Sequence, residues 1–73
     1  MKLLINKSLT EQIPIEMIYL SDKQQFTQRK IVVHQVDGEY IRAYCFLRNQ
    51  NRIFKLKNIL SLMPVRQEIQ RSS

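Results

Sequence analysis

The sequence predicts an all-β fold, a small barrel or rolled sheet of about five strands that follows a short N-terminal helix or arm. Three observations support this prediction. Short runs of β-branched and aromatic residues recur along the chain, turn signals separate these runs, and 73 residues leave room for only one domain. Closure into a barrel would also remove exposed strand edges, which so short a chain could not easily cover otherwise.

The apolar residues near the N-terminus have the spacing of a short helix. The side chains that could form its packing stripe are Leu3, Leu4, Ile5, Leu9 and Ile13. Pro14 would end this helix, although a segment so close to the terminus could instead fray or act as an interaction arm. We therefore assign residues 1–13 to an N-terminal helix or arm, 14–66 to the β domain and 67–73 to a polar tail.

Five strands account for most of the remaining chain. They are predicted at residues 15–20, 28–36, 39–47, 52–56 and 58–65, the last with a short turn at its start. Residues 21–25 and 49–51 have the polar composition of turns. Asp37-Gly38 is a strong hairpin signal because glycine tolerates a positive φ. Pro64 fits near a sheet edge because proline donates no backbone hydrogen bond.

The predicted strand at 39–47 has two chemically different faces, since side chains alternate along a strand. One face is apolar after its first residue and carries Glu39, Ile41, Ala43, Cys45 and Leu47. The other interleaves aromatic rings with arginines and carries Tyr40, Arg42, Tyr44, Phe46 and Arg48. The first face can pack a core. The second suits a flat anionic partner such as a nucleotide or a single strand of nucleic acid.

Positive charge is concentrated in the second part of the chain. Residues 1–28 carry three basic and three acidic side chains, whereas residues 29–73 carry nine basic and three acidic ones, which gives the net charge of +6. No acidic residue lies between Tyr40 and Gln67. A segregated positive field attracts phosphate, so we expect an anionic ligand or a nucleic acid as partner. A solvated cationic surface without a ligand is the simpler alternative.

Catalysis, metal binding and membrane insertion have no sequence support. No Ser-His-Asp, Cys-His or paired-carboxylate arrangement is apparent, so we expect no enzyme. Gly38 is the only glycine, which rules out a glycine-rich phosphate loop, and no Cys/His set has zinc spacing, so we expect no cofactor. The single cysteine, Cys45, excludes an internal disulfide and fits a reducing cytoplasm. No apolar run approaches membrane-spanning length.

Four stretches of the predicted β domain resemble the WYL domain, the Sm-like barrel often attached to bacterial transcription regulators. Ile18-Tyr19 resembles the I-x-Y opening of its first strand, and residues 29–36 (RKIVVHQV) resemble R-x-[IV] followed by P-H-x-L. Residues 39–45 (EYIRAYC) resemble W-Y-L-x-A-Y, with Glu39 in place of the tryptophan. Residues 48–59 (RNQNRIFKLKNI) resemble R-x-x-x-R-x-F-x-L-D-R-I. The resemblance implies an Sm-like β-barrel.

This chain departs from the family pattern in its domain organisation and at two further motif positions. Val33 stands where the motif has proline, and Lys57-Asn58 stand where it has Asp-Arg. The helix-turn-helix domain that usually precedes a WYL domain has no counterpart before these residues. We therefore expect a stand-alone cytoplasmic domain that regulates by associating with another protein or with itself.

The resemblance also implies a ligand site. The residues that match the family's polar and basic set by position are His34, Tyr40, Arg48 and Arg52. The two arginines would hold phosphate, the tyrosine would stack on a base and the histidine would orient the ligand. Ser21 or Thr27 would supply an accompanying hydroxyl. Arg29 would either join the ligand or pair with Glu16 or Asp22.

The function implied is a non-catalytic sensing module linked to transcription regulation. Its ligand would be a nucleotide-type effector or single-stranded nucleic acid. The alternative is a protein–protein interaction module whose basic face, or whose N-terminal apolar stripe, docks on a partner protein. A degenerate remnant of the family is a third reading, because Glu39 replaces the namesake tryptophan.

Overall fold

Five strands and one helix make up residues 2–65, the part of the chain that this computed structural model describes. The elements are α1 (Lys2–Glu11), β1 (Ile15–Leu20), β2 (Phe26–Asp37), β3 (Tyr40–Cys45), β4 (Gln50–Lys55) and β5 (Ile59–Pro64). The strands form one antiparallel sheet in the order β4-β3-β2-β1-β5. The predicted mainly β fold with a short N-terminal helix is thereby confirmed. The predicted tail at 67–73 lies outside the described residues.

The sheet is strongly curved but open. β4 and β5 are its two edge strands, yet only a short 3-10 helix, Leu56–Asn58, joins them. Four inter-strand spacings of about 4.8 Å would place the edges of a flat sheet about 19 Å apart. The chain from Lys55 to Ile59 spans at most about 15 Å, so the sheet has to bend. No pairing between β4 and β5 closes it within residues 2–65, and the predicted barrel is not confirmed.

A tyrosine on β1 bridges to β4, which is not its neighbour in the sheet. The hydroxyl of Tyr19 accepts a hydrogen bond from the backbone N–H of Lys55 at 2.9 Å. The ring of Tyr19 also packs edge-on against Phe54, with 5.0 Å between the ring centroids. These contacts hold β4 against β1 where no backbone ladder connects the two strands.

The hydrophobic core lies on one face of the sheet, which we call the core face. Its buried residues are Ile5, Ile15, Met17, Ile31, Val33, Ile41, Ala43, Cys45, Phe54 and Ile59. The two-faced prediction for the third strand is confirmed within β3, where alternate residues 41, 43 and 45 are fully buried. Leu47 was predicted on the same face, but it is exposed because β3 ends at Cys45.

Helix α1 is fixed to the sheet at a bulge in β2. The register of β2 against β3 shifts between Val33 and Gln35, which leaves His34 as the extra residue. The Ser8 hydroxyl accepts a hydrogen bond from the Val33 backbone N–H at 2.9 Å and donates one to the Ile13 carbonyl at 2.7 Å. The Gln12 side-chain amide donates to the Val33 carbonyl at 3.2 Å. Polar contacts as well as the apolar stripe therefore dock α1.

The turns agree with the sequence prediction at one hairpin and differ at the next. β2 and β3 are joined by Gly38 and Glu39, and Gly38 has a φ of 61°, as the Asp-Gly signal predicts. The following turn was predicted at 49–51 but occupies residues 46–49, and β4 already begins at Gln50. Asn49 takes the left-handed conformation that ends this turn. Polar residues 50 and 51 are tolerated in β4 because it is an edge strand.

Candidate ligand-binding cleft

A cleft of about 470 Å³ opens between the first half of β2 and β4, beyond the end of β3. Its volume falls within the range of roughly 300–1,000 Å³ that is usual for small-molecule sites. Its basic and aromatic lining residues are Tyr19, Lys23, Arg29, Arg48, Arg52 and Phe54. The acidic residue in its lining is Asp22. We call this feature the arginine cleft.

Strand register places two of the arginines on the core face. Arg29 lies opposite buried Met17, and Arg52 lies opposite buried Ala43. Directly opposed residues on paired strands share a face, so both guanidinium groups emerge at the polar end of the core and are half-buried. The third arginine, Arg48, reaches the cleft from the turn between β3 and β4.

The guanidinium of Arg29 is held by three neighbours. Its Nε donates to the Thr27 hydroxyl at 3.2 Å, and its Nη1 donates to the Cys45 sulfur at 3.4 Å. Its Cζ lies 5.7 Å from the centroid of the Phe54 ring. Arginine has five N–H donors in a fixed plane, so these contacts orient the group and leave donors for a ligand. Glu16, one of its predicted alternative partners, instead accepts a hydrogen bond from Gln28.

Cys45, a buried residue that contacts the cleft residue Arg29, has a thiol whose acidity responds to the positive charge nearby. Burial of Cys45 by itself opposes formation of the thiolate. Hydrogen bonds from the backbone of Arg48 and Leu47 and from the Arg29 side chain, together with the charge of Arg29, outweigh burial and hold the pKa of the Cys45 thiol below its ordinary value of 9.0. The same field would favour a bound anion.

The structure distinguishes the two hydroxyl groups that the sequence left open. Thr27 donates to the Tyr19 carbonyl at 3.4 Å and accepts from Arg29, so its hydroxyl is occupied. The Ser21 oxygen accepts backbone N–H groups from Lys23 at 3.3 Å and from Gln25 at 3.2 Å. Its proton remains available to donate into the cleft, and the geometry therefore favours Ser21 as the ligand-contacting hydroxyl.

The four predicted site residues are divided between two faces of the sheet. Arg48 and Arg52 come together in the arginine cleft. His34, at the β2 bulge, lines a separate open groove of about 680 Å³ together with Arg42 and Arg52. Tyr40 lies on the outer face of β3 and lines neither feature. Of the four, Arg52 is the one that lines both surfaces, and ligand binding by all four residues stays a prediction.

The sequence left Arg29 open between joining the ligand and pairing with Glu16 or Asp22, and the structure places it in the cleft. The available signal was the period of β2, because Ile31 and Val33 are core residues and the same period places Thr27 and Arg29 on their face. A charged side chain on the core face has to reach a polar environment, and the cleft provides one for Arg29.

Two further features bear on the site. Among residues 2–65, no group of three or more His, Cys, Asp and Glu side chains gathers as metal ligands would. The only α-helix there, α1, has ten residues, and no helix of the described chain is long and apolar enough to cross a membrane.

Comparison with known proteins identifies a related fold. No family model and no curated protein matches the sequence. A solved structure, proteasome accessory factor B/C (PafBC) of Arthrobacter aurescens, matches with a TM-score of 0.73 and 23% sequence identity. The match covers 93% of this chain and 11% of that chain. This chain therefore shares its fold with one small part of a much longer protein.

Proposed function

We propose that this chain is a non-catalytic ligand-sensing module of the WYL type. In this proposal the arginine cleft binds the phosphates of a nucleotide-type effector or of a single strand of nucleic acid. The observation that carries it is the convergence of Arg29, Arg48 and Arg52 on one cleft of about 470 Å³. Guanidinium groups bind phosphate bidentately and stack on flat rings, which suits a nucleotide better than a simple anion.

The charge balance of the cleft supports a ligand with several negative charges. Four basic side chains and one acidic side chain line it, which leaves an excess of three positive charges. Arg29 is already oriented by its neighbours, so little side-chain entropy would be lost when it binds. The rings of Tyr19 and Phe54 would contact the apolar part of the ligand, and Ser21 would donate a hydrogen bond.

The wider parts of the proposal rest on the motif resemblance together with the shared fold. They are an Sm-like barrel formed by closure of the curved sheet, a cytoplasmic location and a regulatory role in transcription through an associated protein. The alternative is docking on a partner protein through the basic face or the N-terminal apolar stripe, and the apolar stripe has less support. Ile5 is buried, and Leu4 and Leu9 pack against the core, so of that helix stripe only Leu3 remains fully exposed.

The cleft can be tested with a fluorescent nucleoside triphosphate as probe. We expect saturable binding that inorganic pyrophosphate competes away and that weakens about tenfold or more in the Arg48→Ala/Arg52→Ala variant, because charge-assisted bonds to phosphate are lost. A matched control, Lys2→Ala/Lys7→Ala, removes the same charge from exposed positions on α1 and should bind within about twofold of wild type. Equal affinity for the two double variants would refute the cleft as the phosphate site.

A further inference from the structure

The outer face of the sheet, opposite the core face, carries a column of rings and cations along β3. Tyr40, Arg42 and Tyr44 project there because residues 41, 43 and 45 point into the core. Register places Val32, Tyr44 and Asn51 in one row across β2, β3 and β4. It places Gln35, Arg42 and Ile53 in the next row and Asp37, Tyr40 and Lys55 in a third.

This face is largely open to solvent. Tyr40 is 45% exposed, Ile53 58% and Phe46, just beyond β3, 42%. Arg42 is exposed at the centre, where it helps to line the groove of about 680 Å³ that His34 and Asn51 also line. No element in residues 2–65 packs over these side chains as α1 packs over the core face. Burial therefore does not explain why large rings stand here.

The rings and cations on this face are paired with each other. The Tyr44 and Phe46 rings meet edge-on, with 5.1 Å between centroids. The Lys30 ammonium lies 5.8 Å from the centroid of the Phe46 ring. Acidic side chains stand only at the margins among the paired positions, with Asp37 opposite Tyr40 and Glu16 opposite Lys30. A ligand that brings both flat apolar surface and negative charge would fit the centre of this face.

Spacing favours unpaired bases over a duplex. Tyr40 and Tyr44 are four residues apart on one strand, a distance of about 14 Å, which is about four times the 3.4 Å rise per nucleotide in a stacked DNA strand. Rings on β3 would therefore engage a strand whose bases are spread apart. The bases of a duplex are already stacked and paired, so a sheet of protruding rings has no flat base surface to contact there.

We infer that the outer face of β2, β3 and β4 binds an extended single strand of nucleic acid, at a surface separate from the arginine cleft. Tyr40 and Tyr44 stack on bases, and Arg42 contacts the backbone phosphates between them. The amides of Gln35 and Asn51 hydrogen-bond exposed base edges. This inference goes beyond the proposed function because it assigns a second ligand surface built mainly from different residues, with Arg52 and Ile53 lining both.

Fluorescence anisotropy of a labelled twelve-nucleotide oligo-dT tests the inference. We expect Tyr40→Ala and Arg42→Gln each to weaken binding about fivefold or more, whereas Tyr40→Phe keeps the ring and binds like wild type. Arg42→Gln changes an exposed side chain, so it reports on binding even if Tyr40→Ala fails to fold. The Lys2→Ala/Lys7→Ala variant, with both changes on α1, is the control and should change oligo-dT affinity by less than about twofold.

Three results would overturn the inference. Oligo-dT binding that is lost in Arg48→Ala but unchanged in Tyr40→Ala and Arg42→Gln would place the strand in the arginine cleft, in keeping with the proposed function alone. Displacement of oligo-dT by an oligo-glutamate peptide of equal charge at the same concentration would show that the face recognises charge without bases. Absence of oligo-dT binding at micromolar protein and low salt would refute the outer face as a nucleic-acid site, whatever the result of the cleft assay.

Discussion

The pairing of Arg29 with Cys45 joins fold and site at the scale of single residues. The guanidinium contacts the sulfur at 3.4 Å, so an interior thiol and a cation that lines the cleft share one contact. Replacing Arg29 by Met keeps most of the stem and removes the charge and the hydrogen bond. Both effects favour the thiolate in the wild type, so we expect the pKa of Cys45 to rise in Arg29→Met.

Because Cys45 is the only cysteine, its titration can be followed by NMR of protein labelled with ¹³C in cysteine. Arg42→Met, on the outer face, is the control and should leave the titration unchanged. The lowered pKa of Cys45 also predicts how the free energy of unfolding changes with pH. Between the pKa of the folded state and 9.0, Cys45 is protonated to a greater extent in the unfolded chain than in the folded protein. The free energy of unfolding should therefore increase as pH rises through that window. A Cys45→Ala variant that shows the same pH dependence as wild type would contradict this.

Elements that follow from local pattern were predictable, and those that depend on contacts distant in sequence were not. β1 and the β2–β3 hairpin follow from β-branched runs and from Asp37-Gly38. The turn at 46–49 was missed because Phe46 and Leu47 are apolar, and Asn49, which takes a positive φ, stands at its end.

The candidate site shows the same division. Arg48 and Arg52 stand on either side of the turn predicted at 49–51, and both line the cleft, although Arg48 lies within the observed turn at 46–49. Arg29 joins them only through the register of β1 with β2 and the bend of the sheet. His34 lies away from Arg48 because Ile31 and Val33 are core residues, so the alternation of β2 places His34 on the opposite side from the cleft.

At the scale of elements, the hydroxyl of Tyr19 takes the place of a backbone ladder between β1 and β4. Tyr19→Phe should lower the free energy of unfolding by about 1–3 kcal/mol, because the Lys55 N–H loses its acceptor while the ring contact with Phe54 remains. Urea denaturation measures this loss. Hydrogen exchange should show faster exchange at the Lys55 amide. Tyr40→Phe removes a hydroxyl from the exposed outer face and is the matched control, so equal stability losses in the two variants would refute the bridging role.

At the scale of the whole molecule, the basic side chains clustered in the cleft should lower the stability of the free protein and favour the binding of an anion. A single small domain buries little surface, and an excess of positive charge in one cleft repels itself when no anion is present. The Arg48→Ala/Arg52→Ala variant should therefore be at least as stable as wild type at low salt and without ligand. Pyrophosphate should raise the free energy of unfolding of the wild type, since a ligand at a hundred times its Kd adds about 2.7 kcal/mol.

In a domain of this size that gain corresponds to a rise in Tm of about 10 °C or more. Thermal unfolding followed by circular dichroism, with sodium chloride at matched ionic strength as the control for screening, separates the two effects. A double variant that is less stable than wild type without ligand would mean that the arginine stems pack as structure. A wild type whose Tm pyrophosphate leaves unchanged would mean that the charge of the cleft is not used to bind phosphate. The combination that we expect, a variant stable without ligand and insensitive to pyrophosphate, is the pattern of charge retained for binding at a cost to the free fold.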